Sequence, residues 1–139
     1  MDVLVLIGRI LFVPLFLSSA VGHLTQTKQM GQYAAAKGVP AAGPATAGSG
    51  VLLLAGGISV LLGVWADLGA LLLVVFLVPT ALLMHAFWKE EDAQAKQTEM
   101  IHFNKNIALA GAALMLFAFF SYVGDDLGLT VTGPLFDIS

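Results

Sequence analysis

The sequence predicts an all-α integral membrane protein, a single domain over residues 1–139 built as a bundle of four transmembrane helices. Of its 139 residues, 58% are hydrophobic and only 11% are charged, whereas a soluble domain averages roughly 25% charged residues. Four stretches are also apolar over the roughly 20 residues that a helix needs to cross the hydrocarbon of a bilayer. Lipid is therefore the expected solvent for most of the surface.

The four spans follow one another with short connections. The first is expected over residues 3–24, where Arg9 and Pro14 interrupt it, and we expect it to be retained because it lacks the basic start of a signal peptide. The second covers residues 45–65 and the third residues 68–88. Asp67 is the only charge between them, which indicates a tight helical hairpin. The fourth span covers residues 106–123.

The connections predict the direction of the chain. Five of the six basic residues lie in the 25–44 and 89–105 segments, namely Lys28, Lys37, Lys89, Lys96 and Lys105. Because positively charged loops stay in the cytoplasm, both termini are predicted to be extracytoplasmic in a multi-pass protein of the inner (plasma) membrane. Met30 and Tyr33 predict a short interfacial helix that ends near residues 38–40. The charged 89–105 segment is expected to extend the third helix or to cap the bundle.

Several functional classes are excluded by what the sequence lacks. Without cysteine there is no disulfide, thiolate nucleophile or Cys-ligated metal centre. The chain has no basic block that could bind nucleic acid. It has no H-E-x-x-H, no G-x-S-x-G and no phosphate-binding glycine loop.

Arg9 is the one basic residue inside a predicted span. A charge in lipid costs about 2.5–3.5 kcal/mol on insertion scales, so we expect it to snorkel or to find a partner. One alternative is an ion pair with the acids at the same end of the bundle, Asp2, Asp67, Asp125 and Asp126. The other is a bound anionic headgroup or quinone-like carbonyl.

The three histidines are all expected near the cytoplasmic boundary, where one polar pocket could collect them. His23 ends the first span, His85 lies in the last turn of the third, and His102 stands just before the fourth. Asn106 is four residues beyond His102 and shares its face if the helix begins that early; Lys105 and Asn104 are neighbours. The histidines could simply bind loop backbone at the interface, contact a quinone or other small molecule, or ligate haem or a metal. No metal ligand is assigned, because only His85 lies clearly within a span.

Three stretches carry a family resemblance. They are GRILFVPLFLSSAVGHLTQTKQMGQYAAAKGVP (8–40), LLLAGGISVLLGVWADLGALLL (52–73), and HAFW (85–88) combined with HFNKNIALAGAALML (102–116). In order and spacing they resemble the DoxX family of small four-helix bacterial membrane proteins. By that analogy the positions that carry over are Arg9, His85, His102, Lys105 and Asn106. Two positions depart from many relatives: His23 stands where they have Lys, and Leu53 lies in a region where they have Glu.

The resemblance implies a link to quinone-dependent redox complexes. The family is named for association with a terminal quinol oxidase, and the related DoxD subunit belongs to a thiosulfate:quinone oxidoreductase. We therefore expect an accessory subunit of a bacterial respiratory complex, which contacts membrane lipid, other subunits or further copies of itself. Quinone is the cofactor that the resemblance suggests. The candidate positions for contact with quinone or lipid are Arg9, His23, His85, His102, Lys105 and Asn106. The alternatives are a stand-alone quinone-reactive oxidoreductase and a small-solute or lipid transporter. Proton-coupled transport is disfavoured because no acidic residue lies inside a span.

Overall fold

The computed structural model describes residues 1–138, and within them it is all-α. Four helical segments are long and apolar enough to cross a membrane, which confirms the predicted fold class. The helices are α1 Asp2–Phe12, α2 Pro14–Thr25, α3 Thr27–Ala36, α4 Ala42–Leu62, α5 Ala66–Met84 and α6 Ala93–Val123, with short 3₁₀ turns at Phe87–Lys89 and Gly124–Asp126.

The first span is divided into α1 and α2 at Val13. Pro14 is the first residue of α2, a position where its missing N–H removes no helical hydrogen bond. Val13 is fully buried and donates its N–H to the Arg9 carbonyl, so the two helices continue each other through the membrane.

The core of the bundle lies between α2, α4, α5 and α6. Phe16, Leu53 and Leu73 are almost fully buried there. The backbones of α4 and α5 approach closely at Gly56 and Gly69, because a Cβ built on either glycine would lie 3.0 Å from the carbonyl oxygen of the other. Small residues allow such contact between helices in lipid.

The hairpin between α4 and α5 is as tight as predicted. Gly63 ends α4 in the left-handed conformation, with φ of +69°, which glycine adopts without steric cost. The Ser59 hydroxyl donates to the carbonyls of Val64 and Trp65 at 2.6 and 3.0 Å. The turn is therefore bound to the end of α4 by a side chain from within the membrane.

The start of α1 and the last described residues lie at the same end as this hairpin, which we call the terminal end. Val131 donates its N–H to the carbonyls of Leu62 and Gly63. Asp67, which is fully buried, accepts hydrogen bonds from the N–H groups of Leu135 and Phe136 at 2.9 and 2.7 Å. The two long connections lie at the opposite end, the loop end. Which end faces the cytoplasm stays a prediction.

Two boundaries at the loop end differ from the sequence prediction. The third membrane helix ends at Met84 rather than at residue 88, and His85 terminates it. The last helix begins at Ala93 rather than at residue 106. Its start is fixed by Asp92, whose carboxylate accepts the N–H of Ala95, an arrangement that stabilises helix N-termini. The charged residues that follow Asp92 therefore extend the fourth helix and not the third. Most of them are residue types that favour helix.

The 25–44 connection contains the predicted short helix, whose location at the membrane interface stays a prediction. It is α3, Thr27–Ala36, which includes Met30 and Tyr33. Gly38 follows it with φ of +87°, so the chain turns there before α4.

Candidate functional site

A cavity of about 560 Å³ opens at the loop end between α2, α3, α4 and α5. Its walls are mostly apolar, and they include the large side chains of Met30, Tyr33, Leu52, Phe76, Leu83 and Met84. Two of the lining residues are histidines, His23 and His85. Pro79 and Val75 also line it. Since a proline cannot donate to the carbonyl four residues before it, the wall formed by α5 includes the point at which the Val75 carbonyl lacks its helical N–H donor.

The hydrogen bonds of His23 fix the tautomer of its ring. Its Nδ1 lies 2.6 Å from the Ser49 hydroxyl oxygen, and that hydroxyl donates its own hydrogen to the Thr46 carbonyl at 2.8 Å. Because a hydroxyl has only one hydrogen, Nδ1 must be the donor to Ser49. In the neutral ring, Nε2 then carries the lone pair and is able to accept a hydrogen bond. Phe76 packs edge-on against the ring at 5.8 Å.

His85 belongs to a hydrogen-bonded chain of ionisable groups at the loop end. Its Nδ1 lies 2.7 Å from Glu99 Oε2. Lys37 Nζ donates to both Glu99 and Glu90, each at 3.1 Å. A carboxylate only accepts hydrogen bonds, so His85 donates through Nδ1 and, when neutral, presents Nε2 as an acceptor. The chain joins the end of α5 to α6 and to the turn after α3.

Lys37 is stabilised in its charged form by this arrangement. Burial opposes the charge, but the hydrogen bonds from Lys37 to Glu99 and Glu90 outweigh it, so the pKa of Lys37 is raised above its ordinary value. The cation is only about one-quarter exposed. Lys37 therefore stays protonated throughout the neutral range and holds the two carboxylates in place.

The other loop-end residues singled out from the sequence lie outside the cavity lining. The His102 ring packs against the His85 ring, with 5.2 Å between the ring centroids, and it does not line the cavity. Asn106 is buried within the bundle, whereas Asn104 and Lys105 are exposed. Each residue of a helix is rotated by about 100° from the one before it, so neighbours on α6 face different surroundings. Their assignment as ligand contacts stays a prediction.

Arg9 binds backbone carbonyls rather than the acids considered from the sequence. Its Nε and Nη2 donate to the Leu61 carbonyl at 3.3 and 2.8 Å, and Nη2 also donates to the Leu129 carbonyl at 2.9 Å. None of Asp2, Asp67, Asp125 and Asp126 forms an ion pair with it in the part of the chain that the structure describes. The last carbonyls of a helix lack internal partners and carry partial negative charge, and Leu61 lies at that end of α4.

Sequence reasoning missed the groups that orient the two cavity histidines. Glu99 lies three residues before His102, a spacing that places both on one side of a helix. The signal was hidden because the helix was expected to begin only at residue 106. Ser49 and Lys37 gave no signal, since their contacts depend on how distant segments pack.

The part of the chain that the structure describes brings no three His, Asp or Glu side chains together as metal ligands. A family model described as DoxX matches residues 4–86, which is more than half of the chain. The matched segment contains Arg9, His23 and His85 and ends before α6. Comparison with curated proteins found no match, and comparison with solved structures found none.

Proposed function

The chain belongs to the DoxX family, and from that premise we propose that it is an accessory subunit of a bacterial, quinone-linked respiratory complex in the inner membrane. The loop-end cavity is the proposed contact site for the quinone. His23 and His85 would bind the polar groups of its ring, and the apolar walls would hold the rest of the molecule.

The observation that carries this proposal is the pairing of two oriented imidazoles with a large apolar cavity. Small-molecule sites are typically about 300–1,000 Å³ in volume, mostly apolar, with a few well-placed polar groups. The cavity has about 560 Å³. It lies at the loop end, near the predicted membrane boundary, where a lipid-soluble ring compound would enter.

Each of the two histidines is able to serve either form of a quinone. With Nδ1 donating to Ser49 or Glu99, a neutral ring has Nε2 available to accept from a quinol hydroxyl. A protonated ring has an Nε2–H that donates to a quinone carbonyl. The quinone would supply the redox chemistry, and the protein would bind it, orient it and hold a proton at Nε2.

Two features of the chain support an accessory role. The chain has no cysteine, so it cannot hold a Cys-ligated iron–sulfur cluster for electron transfer. Large apolar residues are exposed along its helices, including Leu11, Val51, Leu114 and Met115. These faces suit lipid or the helices of other subunits.

Two experiments test the proposal. Extraction in a mild detergent followed by native-gel sizing and mass spectrometry should recover the chain with oxidase or dehydrogenase subunits. A small homo-oligomer free of such subunits would overturn the accessory role.

The cavity is tested by binding of a short-chain ubiquinone analogue to the purified protein. We expect His23→Ala and His85→Ala each to weaken binding about five-fold, because one hydrogen bond is worth about 1 kcal/mol. Phe103→Ala is the control, since it removes an aromatic ring at the same end of the bundle from outside the lining. An equal loss in the control, or no loss in either cavity variant, would contradict the assignment.

A further inference from the structure

A second opening lies far from the loop-end cavity, in the groove between α1 and α6. It has a volume of about 440 Å³. Two helical stripes form its walls, each with residues at positions i, i+3 and i+7. They are Val5, Gly8 and Phe12 on α1 and Ala112, Met115 and Phe119 on α6, and Arg9 and Leu116 complete the lining. Arg9 is the only charged residue in the lining.

The guanidinium of Arg9 is only partly used by the protein. It has five N–H donors. The Nε donor and those of Nη2 bind the carbonyls of Leu61 and Leu129. Nη1 is buried and has no hydrogen-bond partner within residues 1–138. The residue is 3% exposed, so the Nη1 donors are left unpaired in an apolar setting, and the positive charge is offset only by the partial negative charges of the two carbonyls.

We propose that this groove binds an anionic phospholipid, whose phosphate takes the free Nη1 donors of Arg9. The hydrocarbon chain lies along the apolar stripes, against Phe12, Leu116 and Phe119. Nη1 is closed off from water in the structure, so binding requires the groove side chains to move aside. The site is independent of the quinone proposal, because it lies between different helices and shares none of its lining residues.

Charge complementarity favours a phosphate over the other groups that could enter. A quinone carbonyl is neutral and would leave the positive charge of Arg9 uncompensated. Burying a charge without a counter-ion is costly, and a charge-assisted pair with phosphate is among the strongest hydrogen-bonded interactions.

The size of the groove favours a lipid over a partner helix. A helix with its side chains is about 10–12 Å across, whereas a single hydrocarbon chain is narrow enough to lie within an opening of about 440 Å³. The volume instead falls within the range of about 300–1,000 Å³ that holds small molecules.

Gly8 allows the site to be tested without disturbing Arg9. A Cβ added at Gly8 would meet no atom within 4 Å, so Gly8→Leu should fill the groove while the bonds to Leu61 and Leu129 remain. Gly111→Leu is the matched control, because it also lies in open space and is not part of the lining. Arg9→Gln removes the charge and also weakens the carbonyl contacts, so it is interpreted only beside Gly8→Leu.

The experiment is native mass spectrometry of the full chain, delipidated in a neutral detergent and titrated with dioleoylphosphatidylglycerol, dioleoylphosphatidylcholine or oleate. We expect wild type and Gly111→Leu to bind one phosphatidylglycerol. Arg9→Gln should bind it at least about ten-fold more weakly, a loss of about 1.4 kcal/mol, which is the scale of one hydrogen bond to a charged group. Gly8→Leu should weaken binding to a similar extent because the leucine side chain occupies the space of the lipid chain.

Three results would overturn the proposal. The first is equal binding of phosphatidylglycerol and phosphatidylcholine, which would remove the role of net negative charge. The second is unchanged phosphatidylglycerol affinity in Gly8→Leu, which would place the lipid elsewhere. The third is oleate binding as tight as that of phosphatidylglycerol, which would make the ligand a fatty acid and not a phospholipid. Loss of quinone binding in the same samples would bear only on the other cavity.

Discussion

Replacing Gly69 with alanine should force the α4–α5 hairpin apart. A Cβ at this position would lie 3.0 Å from the Gly56 carbonyl oxygen and would clash directly with the Ser59 hydroxyl oxygen. Ser59 is not free to rotate away, because its hydroxyl holds the turn through the carbonyls of Val64 and Trp65. The added methyl group therefore meets rigid backbone on one side and a bound side chain on the other.

The expected cost has two parts. Inserting a methyl group into a packed interface costs about 1–3 kcal/mol. Displacing the Ser59 hydroxyl from its carbonyl partners adds about 1 kcal/mol. We expect Gly69→Ala to be less stable by about 2–4 kcal/mol than a control with the same gain in helix propensity, and propensity alone would favour alanine by about 0.5–1 kcal/mol.

The control is Gly111→Ala on α6, where a Cβ meets no atom within 4 Å. The free energy of unfolding of both variants can be measured by circular dichroism during denaturing-detergent titration. The double variant Ser59→Gly with Gly69→Ala should be more stable than the sum of the two single changes predicts, since the obstacle is gone. Equal stability of Gly69→Ala and Gly111→Ala would refute the close approach of the two helices.

Two further predictions concern the ends of the bundle. Asp67→Asn weakens the acceptor for the N–H groups of Leu135 and Phe136, so we expect about 1–3 kcal/mol lower stability and faster amide exchange in the C-terminal segment; unchanged exchange, by mass spectrometry, would contradict the contact. The bond between Lys37 and Glu99 should stabilise the fold fully below the ordinary lysine pKa of about 10.4 and be lost as the pH rises through the raised folded-state pKa. Below that pKa, wild type should be more stable than Lys37→Met by about 1 kcal/mol or less. The difference should disappear at higher pH, and a difference that persists would argue against an ionic contact.

The membrane spans could be predicted from the sequence because hydropathy is a local property. Each span is apolar over its own length whatever it packs against. The same reasoning correctly predicted a tight hairpin and the short helix containing Met30 and Tyr33. The turn, however, comes directly after α4 at Gly63, and Asp67, which was expected between the two spans, lies in the first turn of α5. It placed the start of the last helix thirteen residues too late, because the polar residues from Ala93 onward form helix without being hydrophobic.

The candidate site was predicted only in part. His23 and His85 line one cavity as expected, but His102 lies behind His85, and Asn106 is buried elsewhere. A helix rotated by one residue turns its side chains by about 100°, and the sequence contains no information about that rotation until the partner helices are known. Glu99 was overlooked for the same reason.

The sequence by itself determined that most of the surface suits lipid, that four segments are able to span a membrane, and that the chain belongs to the DoxX family. The tertiary structure decided the partners of its polar groups. Arg9 binds carbonyls 52 and 120 residues away along the chain, and Lys37 reaches a carboxylate 62 residues away. Such pairs depend on which helix ends meet after packing, because a charge inside a bundle binds the nearest acceptor in space, and distance along the chain does not reveal which acceptor that is.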